Sequence, residues 1–471
     1  EQVEKTSPGT DIILHFADDS LEFNDEFKLK EILDKYCRFM PVEIVFGEES
    51  EWIDDPSSEK DEKDNVKKIE IKKPRVINST SPLWIQKPSE LTDEDYKTFY
   101  QELYPMSFEE PLFHIHINVD YPFNLTGILF FPRLKNQMET QRNKIQLYCN
   151  QVFITDEVKN ILPDFLTLLH GVVDSPDIPL NVSRSYLQAD GNVKKISAHI
   201  TKKVADKMQS MFNNDRADFE AKWDDISVFI QYGILTEEKF AEKAAAFTLY
   251  KNTSGEYKTL EEWKEKIGEN QKDKNGKIVL LYSTDETAQH GAIEMATSRG
   301  YEVFNLNSPL TAPFLSQIES KNSDITFKRV DSDIPEKLIE KESNDISALN
   351  DTEKESVKTQ LNTWIDAKKF NIQFENMSPN DPPMLITENE FMRRMKEQQA
   401  LGGGAGIFGN LPDSYQLVIN TNHPAVYKMQ GPEGDSLAKE ALALAQLSKG
   451  LLKGSELSAY IQQAYAKLNV N

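Results

Sequence analysis

Apolar positions along the chain recur with two periods, about 3.6 residues where helices are expected and two where strands are. Residues 11–16 read as a short apolar strand followed by an acidic turn, and Phe27, Leu29, Ile32, Leu33 and Tyr36 fall near helical spacing within residues 26–39. Residues 42–46 read as a second strand. Residues 48–73 are nearly all charged or small. Such a stretch cannot bury enough apolar surface to offset its ordering entropy, so a mobile loop or hairpin is expected there. Residues 113–119 alternate cleanly, with Phe113, Ile115, Ile117 and Val119 on one face and His114, His116 and Asn118 on the other, which is expected to face solvent. Further strands are predicted over 125–131 and 145–154, and an apolar helix over 163–170 closed by Gly171. In a longer helix beyond them, Ile196, Ile200, Val204 and Met208 form one buried stripe.

These elements make residues 1–217 a large α/β domain, expected as an α/β/α sandwich. Residues 218–275 read as a helical connector rich in charge. Residues 276–332 then alternate strand, helix, strand, helix, strand, a small three-layer α/β domain with a parallel sheet and Gly300 at a helix end. Residues 333–471 form a last, α+β domain ending in paired helices. Leu437, Leu444, Leu447 and Leu451 lie on the first, and Leu457, Tyr460, Ile461, Ala464 and Leu468 on the second. Two apolar stripes at the end of a chain need a surface to pack on, and a second copy supplies one in a two-fold four-helix bundle. The fold class expected is thus multidomain α/β.

Composition narrows the function. The chain's 471 residues exceed one hydrophobic core, and its 39% hydrophobic and 28% charged content is that of an ordinary soluble protein. No apolar run approaches the roughly 18 residues that span a bilayer. A net charge of −23 repels nucleic acid and membrane surfaces, so neither is expected as a partner. Cys37 and Cys149 have no metal or redox spacing and read as reduced residues of a cytoplasmic protein. The chain begins Glu-Gln-Val-Glu-Lys, with neither an initiator methionine nor a signal peptide, which reads as a processed or engineered start.

Candidate chemistry is sparse. His114 and His116 could share a metal, but no third ligand follows at suitable spacing, and no metal site is expected. The loop Ser283-Thr284-Asp285 lacks the glycines of a dinucleotide fold. The glycine-rich run at 401–408 follows a helix and lacks a Lys-Ser/Thr ending, so it reads as a linker. A self-sufficient nucleotide enzyme is therefore disfavoured. In the loop from Asp174 to Ser185, Ser183 is a fair N-cap, which puts Arg184 in the first turn of a helix. A cation there opposes the helix dipole by roughly 0.3–1 kcal/mol, and a residue placed against local preference is a candidate for function. Trp84, between prolines, reads as a lid over core residues. Phe391, Met392 and Met395 lie on a predicted helix, where unbranched methionines adapt to irregular partners.

The stretch from Leu147 to Gln188, LYCNQVFITDEVKNILPDFLTLLHGVVDSPDIPLNVSRSYLQ, closely resembles the middle domain of the 90-kilodalton heat-shock protein family of chaperones. SPGTDIILHF, SPLWIQKPSELTDEDY, NLTGILFFPR and GEYKTLEEW agree in the same order. YSTDE and RGYEVFNL resemble the family's small α/β subdomain, and MRRMKEQQ and LVINTNHPAV its C-terminal domain. The chain departs at Ser185, where the family has an acidic residue, and at Cys149-Asn150-Gln151, which replaces a usually basic stretch. It ends Lys-Leu-Asn-Val-Asn, without the acidic tail that docks tetratricopeptide co-chaperones or an endoplasmic-reticulum retention signal, which points to the bacterial branch.

The resemblance implies middle and C-terminal domains of an ATP-dependent chaperone. Arg184, accompanied by Gln188 and Asn181, would reach the γ-phosphate of ATP, which is held with magnesium by an N-terminal domain this chain does not contain. The segment itself would bind no cofactor, and only the whole protein would be an ATPase. Trp84, Phe391, Met392 and Met395 would touch client proteins. Leu444, Leu447, Leu451, Leu457, Tyr460, Ile461 and Leu468 would form a homodimer interface. The alternative is a passive protein-binding scaffold with no part in hydrolysis.

Overall fold

The computed structural model describes residues 8–54, 68–133, 144–158, 162–178, 191–341, 347–388, 393–395 and 414–468. They fall into two units, residues 1–134 with 138–207 and residues 208–471 with 135–137. Both mix helices with small sheets, so the chain is a multidomain α/β protein. No helix among the described residues is long and apolar enough to cross a membrane.

In the first unit, helix α1 (Glu26–Cys37) starts where Asp25 accepts the N–H of Lys28. Strands β1 (Val45–Asp54) and β2 (Lys68–Val76) pair antiparallel into a largely exposed hairpin, one of the two forms expected of the charged stretch. Helix α2 (Asp93–Leu103) opens on a capping box between Thr92 and Asp95. Strands β3 (Phe113–Val119), β4 (Leu125–Phe131), β5 (Ile145–Cys149), β6 (Val152–Thr155) and β7 (His170–Asp174) form one sheet in the order β3-β4-β7-β5-β6. Helix α2 and a short turn at Leu83–Ile85 cover one face, where Tyr96, Phe99 and Tyr100 meet Ile128, Phe130, Tyr148 and Val172. On helix α3 (Gly191–Asn214) the expected stripe Ile196, Ile200, Val204 and Met208 is fully buried.

Four sequence expectations fail in this unit, each for a physical reason. Residues 11–16 are not a strand; no described strand pairs with them, and Ile12, Ile13 and Leu14 are each more than 70% exposed. The span 145–154 is two strands, because Asn150 and Gln151 adopt left-handed backbone angles (φ 50° and 63°) and turn the chain back. The histidine face of β3 is covered by α2 instead of facing water. Tyr96 and the His114 ring stack 3.6 Å apart, and the two nitrogens of His116 lie 2.8 Å from the Tyr96 hydroxyl and 3.2 Å from the Trp84 carbonyl. Burial pushes the His114 pKa down to about 4 and so keeps the ring neutral. The apolar run before Gly171 is a 3₁₀ turn (Asp164–Leu168), and Gly171 belongs to the central strand β7 rather than to a helix end. A fully buried strand and a buried helix share the same apolar run, so periodicity could not separate them.

In the second unit, α4 (Arg216–Thr236), α5 (Glu238–Ala244) and α6 (Leu260–Ile267) come first, with a short hairpin of β8 (Leu249–Lys251) and β9 (Tyr257–Thr259) between α5 and α6. Strand β10 (Ile278–Ser283), α7 (His290–Thr297), β11 (Val303–Asn305), α8 (Thr311–Lys321) and β12 (Ile325–Arg329) then alternate as expected around a parallel sheet ordered β11-β10-β12. After α9 (Pro335–Leu338) and α10 (Asp351–Leu361), strands β13 (Phe370–Glu375), β14 (Met384–Glu388) and β15 (Tyr415–Asn420) form a second sheet ordered β13-β15-β14. Helix α11 (Pro424–Lys428) leads to α12 (Gly434–Ser448), whose Ala438, Ala441, Leu442 and Ala445 pack on that sheet's core, and to α13 (Gly454–Leu468). Ion pairs stitch the two sheets' regions together: Arg329 to Glu388 (3.3 Å), Arg299 to Asp381 (2.5 Å) and Lys449 to Asp331 (2.5 Å).

Gly171 has φ 132°, and a Cβ at that position would fall on the backbone carbonyl of Ile128 in β4. Gly171→Ala should therefore destabilise the five-stranded unit by about 3 kcal/mol or more. Hydrogen exchange of the β4 and β7 amides checks this; unchanged protection would refute the close approach.

Candidate functional site

All five residues of β7 are buried, and the strand delivers the chain to the segment singled out in the sequence. The exit is tied on both sides. The Ser175 hydroxyl donates to the Asn124 carbonyl (2.6 Å), the Ser175 N–H to the Tyr148 carbonyl (3.2 Å), and the Asn124 N–H to the Asp177 carboxylate (2.6 Å). Ile178 is buried as the last described residue before the gap, and the chain is described again from Gly191, the start of α3. Asn181, Arg184 and Gln188, with the helix start predicted at Ser183, lie outside the described residues.

Sequence reasoning missed Asp174, which ends β7. Its Oδ2 accepts the indole N–H of Trp84 (3.2 Å) and the backbone N–H of Gln151 (2.9 Å). Burial pushes its carboxyl pKa up, opposed by the hydrogen bonds from Gln151, Trp84 and Asn150. One carboxylate thus joins the end of β7, the left-handed β5–β6 turn and the tryptophan. The turn is the same Cys149-Asn150-Gln151 that departs from the family pattern. The available signal was a lone acid closing the apolar run Gly171-Val-Val173.

Trp84 is fully buried. Its ring meets Phe39 edge-on at 4.7 Å and lies 5.1 Å from Tyr148 and 5.9 Å from Phe99. The lid over core residues read from the sequence matches this geometry. The client-contact reading needs surface that the ring does not expose, because its N–H is spent on Asp174 and its faces on aromatic neighbours.

Phe391 and Met392 lie outside the described residues. Met395 is half-buried on a helical turn at 393–395. The two arginines before it, also missed, anchor that turn. Arg393 donates to the Tyr282 hydroxyl and sits over its ring (5.7 Å), while Arg394 donates to Glu319 (2.8 Å) and to the Phe327 carbonyl (2.7 Å). In the final helices, Leu444, Leu447, Ile461 and Leu468 are 40–75% exposed, whereas Leu457 and Tyr460 are half-buried; Leu451, expected on the first of them, lies half-buried in the connection beyond it, since that helix ends at Ser448. No residue of α13 is fully buried; the Tyr460 hydroxyl donates to Glu440 on α12 (3.0 Å), and Lys467 reaches the same carboxylate. Among the described residues no group of three or more His, Cys, Asp or Glu side chains is arranged to hold a metal ion.

Comparison with known proteins shows which family the chain resembles. The profile described as Hsp90 protein matches residues 46–459. The chaperone protein HtpG of Bacteroides thetaiotaomicron is 48% identical over 436 residues, covering 92% of this chain and 62% of that protein. The HtpG of Porphyromonas gingivalis is 49% identical over 440 residues, covering 93% and 63%. That of Bacillus subtilis is 28% identical over 457 residues, covering 91% and 68%. The chain therefore spans about three-fifths of the length of the curated relatives near 50% identity.

Replacing Trp84 with Phe keeps most of the packing and removes one donor from a buried carboxylate. Unfolding of this unit should become easier by about 1–3 kcal/mol. Urea denaturation measures the change, and a loss below about 0.5 kcal/mol would make the indole contact incidental.

Proposed function

The chain belongs to the Hsp90 protein family, and from that premise we propose that it is the part of an ATP-dependent chaperone that completes hydrolysis, holds clients and joins two copies. The single observation that carries the reading is the tied exit of β7. A buried strand, held at its end by Asp174 and Ser175, leads directly into the segment bearing Asn181, Arg184 and Gln188. In a phosphoryl transfer, charge accumulates on the γ-phosphate oxygens as the bond to the leaving group lengthens. A guanidinium answers that charge because it is permanently ionised, planar and able to donate two parallel hydrogen bonds. ATP and magnesium are bound by another domain of the whole protein in this reading. The role of Arg184 is then to arrive when that domain docks, which couples hydrolysis to closure. Asn181 and Gln188 act with Arg184 in the same reading. Clients are held around Phe391, Met392 and Met395, and the protein works in the cytoplasm. The division into a large α/β domain, connector, small α/β domain and dimerisation domain belongs to the same proposal, as does self-association through α12 and α13.

In the whole protein, Arg184→Ala should cut ATP turnover by about tenfold or more while nucleotide affinity stays within about twofold, and Arg184→Lys should restore little. Turnover equal to the wild type would instead favour the passive scaffold.

The dimer is tested through exposed side chains alone, because α12 also carries core residues whose removal would unfold the last sheet. Changing Leu444, Leu447, Ile461 and Leu468 together to Ser should give monomers in sedimentation with the melting temperature lowered by no more than a few degrees. A dimer that survives all four changes would refute this interface.

A further inference from the structure

The second unit contains a cavity of about 600 Å³ that the proposed function does not use. This is within the roughly 300–1,000 Å³ of small-molecule sites. Its walls are α7, β14 and the last turn of α12, and its lining includes Asp331, Asp333 and Asp381. Two of these carboxylates are spoken for. Asp381 pairs with Arg299 at 2.5 Å, and Asp331 with Arg329 and Lys449 at 2.5 Å each. Asp333 differs. Among the described residues its hydrogen bond is from the N–H of Ile334, its own neighbour in the chain (2.8 Å). The lysines whose charge it feels are engaged elsewhere, Lys337 with Glu375 and Lys328 with the Lys337 carbonyl (3.0 Å).

We propose that this cavity binds a small organic ammonium ion with an apolar body, its charged end on Asp333 and its body against Met295, Leu385 and Ala445. A half-buried carboxylate that pairs with no cation among the described residues is costly to ionise, and an incoming ammonium supplies charge and donors at once. Burial already pushes the Asp333 carboxyl pKa above its ordinary value, as that cost requires. An inorganic cation lacks its ligand set, since no described group of three or more acidic, His or Cys side chains is arranged to hold one. An anion would face four carboxylates in the same lining, Glu294 with the three aspartates. The apolar wall is what selects an organic cation over a hydrated one.

The test uses the chain as it stands, titrated with 4-phenylbutylamine and with 4-phenylbutanol, its uncharged counterpart, by ligand-detected NMR. The amine should bind about tenfold or more tightly than the alcohol, and Asp333→Asn should remove that advantage. Glu294→Gln, an exposed carboxylate also lining the cavity, should change amine binding by less than about twofold. Equal binding of amine and alcohol would overturn the proposal. Equal losses in the Asp333 and Glu294 variants would reduce it to attraction by the chain's net negative charge.

Discussion

The first unit is organised around a carboxylate that water does not reach freely. Asp174 sits at the end of the sheet's most enclosed strand, where ionisation is disfavoured, and answers that cost by collecting donors from two distant parts of the chain. The Trp84 indole comes from ninety residues upstream and the Gln151 N–H from the neighbouring hairpin. Removing the acid would do more than delete one bond. It would release the tryptophan that fills the space between α2 and the sheet, and the turn that keeps two adjacent residues left-handed. Buried polar groups specify a single arrangement because the alternatives leave a donor or acceptor without a partner.

Much of the fold was legible in the pattern of apolar positions. The stripe from Ile196 to Met208 could only be one face of a helix, and the alternation after residue 276 could only be a parallel sheet with crossover helices. The failures share one cause. Periodicity reports how a segment is buried, not what buries it. His114 and His116 looked like a wet face because nothing local shows that α2 folds over them. Gly171 looked like a helix terminus because its real constraint, the carbonyl of Ile128, lies 43 residues away in the chain. Residues 11–16 looked like a strand because the missing partner is invisible in one segment.

The candidate site divides along the same line. Arg184 stood out as a cation at a helix start, a local anomaly, and family likeness lent it a role. Asp174, Arg393 and Arg394 carried no local anomaly beyond being charged near apolar runs, and their partners lie from 23 to 111 residues away. Trp84 between prolines was legible as a cover for core residues, but the carboxylate that holds its indole lies 90 residues away and left no local mark.

The seam between the parallel sheet's region and the last sheet is pinned by charge, through Arg329 with Glu388, Arg299 with Asp381 and Asp331 with Lys449. A greasy seam can creep, since each apolar contact is about as good as the next. A seam of half-buried ion pairs cannot, because a small slip strands a charge, and breaking such a pair costs about 3–5 kcal/mol when buried. The joint therefore works like a detent. It holds the two sheets' regions in one register, from which a small slip is uphill in either direction.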